Sequence, residues 1–218
     1  MQSFIQIGVI GLGKFGYKFG EVLSRNGVQV LGIDKDPENV KHAQHTFHQV
    51  LQADASNKET LQQIGIRDLS HVLISVGDSI AASAMIALYL KEFGVPVVWA
   101  KAVNEDHATL LRKVGVDEVI IPEYLAATQL ANKVTIPGFI ESLPFSKDLV
   151  IREVTIHHWN GKSLRDLNLS NRYGVQAIAH KKQGDSRYSL IPKADEQLAN
   201  GDVMVVLGPL SQISRLAP

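Results

Sequence analysis

Val9-Ile10-Gly11-Leu12-Gly13-Lys14-Phe15-Gly16 is the stretch that decides the fold. Glycines at the spacing Gly11-x-Gly13-x-x-Gly16 arise by chance in many chains, so the spacing alone is a weak signal. Its surroundings strengthen it. An apolar run of strand length, residues 4–10, precedes the motif, and a segment at helical spacing, residues 15–26, follows it. In a strand–loop–helix turn each glycine has its own use. The first permits the tight turn, the second lets the backbone approach a pyrophosphate, and the third lets helix and strand pack closely. The helix N-terminus then offers unpaired N–H groups and a positive dipole end to the phosphates.

Working outward, Gly27 is placed to stop the first helix, and residues 28–33 form a second apolar run. That run ends at Asp34, 18 residues after Gly16 (34 − 16). A carboxylate there accepts hydrogen bonds from ribose hydroxyls. This favours an unphosphorylated ribose, as in NAD(H) or an adenine mononucleotide, over NADP, with Lys35 the one residue that pulls the other way. A bland reading stands beside the functional one: a structural glycine turn in an α/β domain. A P-loop ATPase is disfavoured. Gly161-Lys162-Ser163 has the triplet, but Ile156 stands where the leading glycine belongs, which leaves a surface turn.

The alternation continues. Asp36-Pro37 reads as an N-cap followed by proline at N1, opening a helix that runs to about residue 47. Strands follow over residues 49–53, 71–76, 96–100 and 118–121, with helices over 58–64, 79–93 and 107–114. Strands alternating with helices, and near-continuous apolar strands such as Val72-Leu73-Ile74, predict a Rossmann-like parallel sheet with helices on both faces. Asp54 and Ala55 follow the third strand, Ser75 and Gly77 close the fourth, and Lys101 ends the fifth. Open α/β sheets bind ligands at such strand C-termini, although each residue also has an ordinary reading as loop chemistry or a solvated lysine.

Residues 122–134 read as another helix, and Pro137-Gly138 as a boundary. Beyond it the pattern changes to strands at 150–156 and 204–207, a helical turn at 163–168, and segments 174–180 and 188–191 flanking a turn at 183–186. The expected organisation is a nucleotide-binding domain over 1–122, a helix and linker over 123–138, and a small C-terminal α+β domain over 139–218.

Composition sets the outer limits. The 218 residues carry 22 Lys and Arg against 22 Asp and Glu, a formal charge of zero. That gives no strong attraction to nucleic acid or anionic lipid and mildly favours self-association. Cysteine is absent, which excludes disulfides, zinc-thiolate sites and cysteine nucleophiles and fits a reducing cytosol. The N-terminal residues show no basic n-region, so no signal peptide is expected. No apolar run approaches the roughly 20 residues that span a bilayer, so a membrane role is expected to go through a partner. His42 and His45, with His48 beyond, read as a solvated helix surface rather than a metal face, and His157-His158 on a strand would point to opposite sides.

Taken together these stretches are familiar. The chain resembles the RCK (KTN) gating subunits of bacterial Trk/Ktr-type potassium uptake systems. The matching segments are residues 9–16, 30–40, 53–56, 71–94 and 98–123, and in the second half 161–179 and 195–209, so the likeness covers essentially the full length. The resemblance implies a domain that binds ATP, ADP or NAD(H), a helix after Glu123 that crosses to a partner subunit, and a C-terminal RCK-type domain. It implies dimers assembled into an octameric ring beneath an integral membrane potassium-translocating subunit. The expected location is cytoplasmic, on the inner face of the membrane through that partner. By position, Gly11, Gly13 and Gly16 match the phosphate loop with Lys14 and Phe15 inside it, and Asp34 with Lys35 the ribose end. Asp54, Ala55, Ser75, Gly77 and Lys101 match positions lining the nucleotide. Glu123 matches a family glutamate near the phosphates and the dimer seam, where related proteins hold a divalent cation. The chain departs from the family at Lys14, often arginine elsewhere, and at Tyr124 and Leu125, which replace a basic and an acidic residue. Some relatives bind cyclic di-AMP on the C-terminal domain; the sequence leaves that undecided here.

The expectation is therefore a regulatory nucleotide sensor and not an enzyme. The alternative is an NAD-dependent oxidoreductase. Against it, none of the five tyrosines has lysine four residues later, and no catalytic base motif is evident in the small second domain. A redox-sensing DNA binder is disfavoured by the neutral charge.

Overall fold

The computed structural model describes residues 6–77, 79–136, 138–142 and 148–218. Positions 4 and 5 of the expected first strand, and Pro137 of the expected boundary, lie outside the described residues. The chain divides into two compact units, residues 1–122 and 123–218.

In the first unit the elements run β1 (Gln6–Ile10), α1 (Lys14–Arg25), β2 (Gln29–Asp34), α2 (Pro37–Ala43), β3 (Gln49–Gln52), α3 (Lys58–Ile64), β4 (His71–Ile74), α4 (Ile80–Glu92), β5 (Val97–Lys101), α5 (Glu105–Val114) and β6 (Glu118–Ile120). All neighbouring strands pair in parallel, in the order β3-β2-β1-β4-β5-β6. Strand order reverses direction at β1, between β2 and β4, so a crevice opens outside the C-terminal ends of those strands.

Successive side chains on a strand face opposite ways, and each strand is apolar on both faces because each feeds a separate core. Val9, Val30 and Leu73 join the core beneath α1 and α2. Ile10, Ile33, Val72 and Ile74 join the core beneath α3, α4 and α5, with Leu61, Ile86, Leu90 and Leu111 from those helices. The doubly covered parallel sheet expected from the sequence is what forms.

Within the first unit three boundaries of the described residues differ from the sequence reading by two residues or more, each for a local reason. Helix α2 stops at Ala43 instead of reaching Phe47. Thr46 and Phe47 both donate their N–H to the Ala43 carbonyl, and the Phe47 ring turns into the core. Gly20 and Gly32 make room for that ring: a Cβ at Gly20 would lie 2.3 Å from Phe47 Cζ. Strand β4 ends at Ile74, where Ser75 N–H donates to the Ile10 carbonyl and the chain bends into the crevice. Helix α5 begins two residues early, at Glu105, because Asn104 caps it by accepting from His107 N–H.

Helix α6 (Pro122–Thr135) begins at the last residue of the first unit, and the second unit continues from it with β7 (Phe139–Ser142), β8 (Leu149–Thr155), α7 (Leu164–Leu167), α8 (Leu169–Tyr173), β9 (Gln176–Lys181), β10 (Ser189–Leu190), β11 (Val203–Pro209) and α9 (Leu210–Ile213). Its strands form an antiparallel sheet, β10-β9-β11-β8-β7, over a core that includes Val154, Ile156, Leu198, Met204 and Val206. Strand β7 and helices α8 and α9 are absent from the sequence reading. They are short and carry little periodicity of their own.

One polar cluster ties this unit together. The buried Asp202 carboxylate accepts from Ala199 N–H (2.9 Å) and Gln183 N–H (2.9 Å). The buried His180 ring bridges two carboxylates, with Nε2 at 2.9 Å from Asp202 and Nδ1 at 3.1 Å from Glu196. Burial alone would raise the Asp202 carboxyl. The two N–H groups and the His180 ring outweigh it and hold the group below its ordinary 3.8. A depressed carboxyl contributes stability that is complete above 3.8 and lost as pH falls through the lower folded value. Thermal unfolding followed against pH should show the second unit losing stability below 3.8. Asp202→Ala should cost about 3 kcal/mol at neutral pH, because it strands buried partners, and should flatten that acid limb. An acid limb unchanged in the variant would show that Asp202 is not its source.

Candidate functional site

Gly11 sits at φ +91°, a left-handed conformation that glycine adopts without penalty. Its N–H donates to the Ile33 carbonyl at 2.8 Å, and a Cβ on it would lie 2.8 Å from the Ser75 backbone. The loop is thereby wedged between the ends of β2 and β4. A Cβ on Gly16 would lie 1.9 Å from the Gly11 carbonyl oxygen, so the first turn of α1 packs directly on the loop. Gly13 is different: a Cβ there would meet nothing within 4 Å. It caps α1, and no side chain bonds the first-turn N–H groups at that cap. One glycine makes the turn, one makes the helix contact, and the middle one keeps the approach open, as anion binding at a helix N-terminus requires.

The loop borders a crevice of about 250 Å³. Of the residues singled out from the sequence, Gly11, Gly13, Asp34, Lys35, Asp54, Ala55, Ser75 and Gly77 line it. The apolar wall comes from Ile10, Ile33, Ala53, Val76, Ala82 and Ile86. The others are placed elsewhere. Lys14 is exposed at the start of α1. Phe15 packs against the core beneath α1, and buried Gly16 supports the loop from behind. Lys101 pairs in register with Ile120 and is not part of the crevice lining. Glu123 lies in the first turn of α6, within the second unit. Among the described residues no group of three or more His, Asp or Glu side chains could hold a metal ion. The His42 ring lies against Tyr17, tilted by 39° at 4.2 Å between ring centroids.

Asp34 is the most constrained side chain of the crevice. Its Oδ2 accepts from Leu12 N–H at 2.6 Å and from Asn39 Nδ2 at 3.1 Å, and its Oδ1 accepts from Asp36 N–H at 2.8 Å. The carboxylate thus links the glycine loop to the start of α2. Asp54 is fixed locally. Its Oδ1 accepts from both the Ser56 hydroxyl (2.6 Å) and the Ser56 N–H (2.9 Å), and these two bonds, the hydroxyl first, hold its carboxyl below 3.8. Asp54 lines the crevice, and its bonds to Ser56 use Oδ1. Ala102, His107 and Ile121 are buried, and burial pushes the His107 imidazole down from its ordinary 6.5. Val103 N–H donates to its Nδ1 at 3.3 Å.

Asn39, Asp36 and Ser56 are the polar crevice residues that sequence reasoning missed. Asn39 lies five residues after the acid, at the third position of the helix that Asp36 caps, and its amide donates to Asp34 Oδ2.

A glycine-loop crevice of this kind, with an acid at the end of β2 in a 3-2-1-4-5-6 parallel sheet, defines a Rossmann-type nucleotide-binding domain. Here it is joined to a small antiparallel domain. The TrkA-N domain profile matches residues 7–122 and the TrkA-C domain profile residues 150–218. The Ktr system potassium uptake protein C of Bacillus subtilis is 32% identical over 212 residues, covering 96% of this chain and 95% of that protein. The Ktr system potassium uptake protein A of Vibrio alginolyticus is 32% identical over 210 residues, with 96% and 94% covered. The chain belongs to the TrkA-N/TrkA-C family of Ktr and Trk potassium uptake proteins. Among solved structures, the GsuK RCK domain aligns over 97% of this chain with a TM-score of 0.57 at 21% identity. The GsuK channel bound to NAD aligns over 96% with a TM-score of 0.53 at 20% identity. This chain spans 45% and 37% of those longer chains, and the likeness is one of fold.

Proposed function

We propose that this protein is the regulatory subunit of a membrane potassium transporter, binding an adenine nucleotide in the crevice and gating transport through the shape of an oligomeric ring. The observation that carries the nucleotide reading is the Asp34 carboxylate, preset by three N–H groups and tied directly to the open glycine loop. The family and the names of the relatives support the transport role.

The residues fit the adenosine half of a nucleotide. Asp34 takes the ribose, and the open loop at Gly13 with the first turn of α1 takes phosphate oxygens. Asp54 offers an acceptor oxygen that suits an exocyclic amino group such as that of adenine. Among the described residues no crevice-lining residue belongs to β5 or β6, and Ala102 and Ile121, just after those strands, and His107 of α5 are buried. The crevice therefore favours ATP or ADP over the longer NAD(H). Lys14 and Lys101 are assigned to longer-range contact with the phosphates. Glu123, on a helix that crosses to a partner subunit, is assigned to the dimer seam with a divalent cation. Ile80, Met85 and Leu88 of α4, and Val103 and Leu110 at α5, are exposed apolar residues that support self-association.

Gating imposes a thermodynamic condition. A nucleotide shifts the ring only by its difference in affinity for two ring shapes, so ATP and ADP must differ in that respect. Titration calorimetry with ATP, ADP and NADH, together with the oligomer size in each state, tests the reading. ATP and ADP should bind, NADH at least tenfold more weakly, and the assembly should change between ATP and ADP. Failure of all three to bind removes the sensor function. Turnover of NADH with carbonyl substrates would favour the oxidoreductase instead.

A further inference from the structure

The ribose end of the crevice is built from two residues. A carboxylate offers about four acceptor positions, two on each oxygen. On Asp34, Oδ2 already takes Leu12 N–H and Asn39 Nδ2, and Oδ1 takes Asp36 N–H. One position is left, on Oδ1. A ribose presents two adjacent hydroxyls, so the second hydroxyl needs another acceptor.

Asn39 supplies it. Asp36 is the N-cap of α2 and accepts from Glu38 N–H, and Pro37 fixes the first helical position, so Asn39 falls at the third position of the helix, on the crevice side. Its amide must turn NH2 toward the acceptor-only carboxylate, which aims the amide oxygen away from Asp34. Asn39 is half-buried, lines the same crevice, and makes no other hydrogen bond among the described residues. Its oxygen is a partly buried acceptor on a residue that lines the same crevice as Asp34, whose last open position is on Oδ1.

We propose that Asp34 and Asn39 act as one sugar-reading unit, Asp34 Oδ1 accepting from one ribose hydroxyl and the Asn39 amide oxygen from the other. Asn39 is then a specificity-determining residue for ribonucleotides over both monodeoxy forms. The inference rests on the adenine-nucleotide reading of the crevice. It also assigns Asn39 a second task, since its N–H restrains the Asp34 rotamer that receives the sugar.

The test is calorimetry of the full chain with ADP, 2′-deoxy-ADP and 3′-deoxy-ADP. In the unaltered protein each deoxy analogue should bind about tenfold more weakly than ADP, the value of one hydrogen bond to a fixed partner. Asn39→Leu, close in shape and unable to accept, should weaken ADP by about tenfold. It should also erase the penalty for one deoxy analogue while leaving the other intact. That selective loss is the signature, because a merely structural change would lower all three affinities together. Asn39→Ala, which adds no bulk to the first turn of α2, is measured in parallel, and nucleotide-free melting confirms that both variants fold. Retention of both penalties in the variants would mean that Asp34 reads both hydroxyls. Loss of both would mean that Asn39 only positions Asp34. Either result overturns the shared reading, as does a wild-type protein that binds ADP and both analogues equally. Failure of the wild-type protein to bind ADP at all would instead remove the underlying nucleotide site.

Discussion

Gly16→Ala should destabilise the first unit by about 3 kcal/mol and abolish measurable nucleotide binding. The added methyl would stand 1.9 Å from the Gly11 carbonyl oxygen and 3.1 Å from Ser75 Cβ. Neither neighbour can give way. Gly11 is held from one side by its bond to the Ile33 carbonyl and pressed from the other by the Ser75 backbone. Helix α1 must therefore lift off the loop, which opens the core beneath it and moves the first-turn N–H groups away from the phosphates. Gly13→Ala is the matched control. Its Cβ meets nothing within 4 Å and its φ of −63° suits any residue. It should leave the melting temperature unchanged and weaken nucleotide by crowding the approach. Thermal unfolding and calorimetry on the two variants separate the structural glycine from the functional one. Equal melting temperatures for Gly16→Ala and the wild-type protein would refute the packing argument.

The nearness of Gly16 to Gly11 was implicit in the sequence, because the glycine spacing carries a mechanism that presumes it. The parallel sheet was legible for a similar reason: strands buried on both faces, such as Val72-Leu73-Ile74, are apolar throughout and announce two covering layers. What escaped the sequence depends on contacts between distant segments. Phe47 reads as the next apolar position of α2, yet it leaves the helix because Gly20 and Gly32, far off in the chain, create a hole for its ring. Asn39 reads as one polar residue on an exposed helix. Its bond to Asp34 is an exception to that rule: it is local, and the N-cap and proline that place it are legible, but no spacing rule flags the pair. In the second unit, the His180 and Asp202 pair joins residues 22 apart with no spacing rule to flag them. Positions matched by resemblance fared unevenly in space: Asp54, Ala55, Ser75 and Gly77 line the crevice, whereas Phe15 belongs to the core. A glycine motif fixes the backbone around it, and the side chains within it are free to serve packing.

Asp34→Ala should weaken adenine nucleotides by about 3 kcal/mol, more than a hundredfold in affinity, because the carboxylate does two things at once. On the proposed reading it receives the ribose, and by its bond to Leu12 N–H it holds the loop. Removing it takes away a charge-assisted bond to the sugar and leaves Leu12 N–H, part of the loop itself, without its 2.6 Å partner. Asp36 N–H and the Asn39 amide lose their acceptor in the same step. Asp34→Asn separates the two tasks. An amide has one acceptor oxygen and turns NH2 toward donors, so it cannot serve Leu12, Asp36 and Asn39 together. If Asp34 only touched the ribose, the asparagine variant would keep most of the affinity. If it also organises the loop, the asparagine variant should fall close to the alanine variant, and hydrogen exchange at the Leu12 amide should quicken in both. The nucleotide-free protein carries that second readout, so it does not depend on which nucleotide is bound. Unchanged affinity in Asp34→Ala would take the residue out of the site. Lowered affinity with unchanged exchange at Leu12 would leave it as a sugar contact alone.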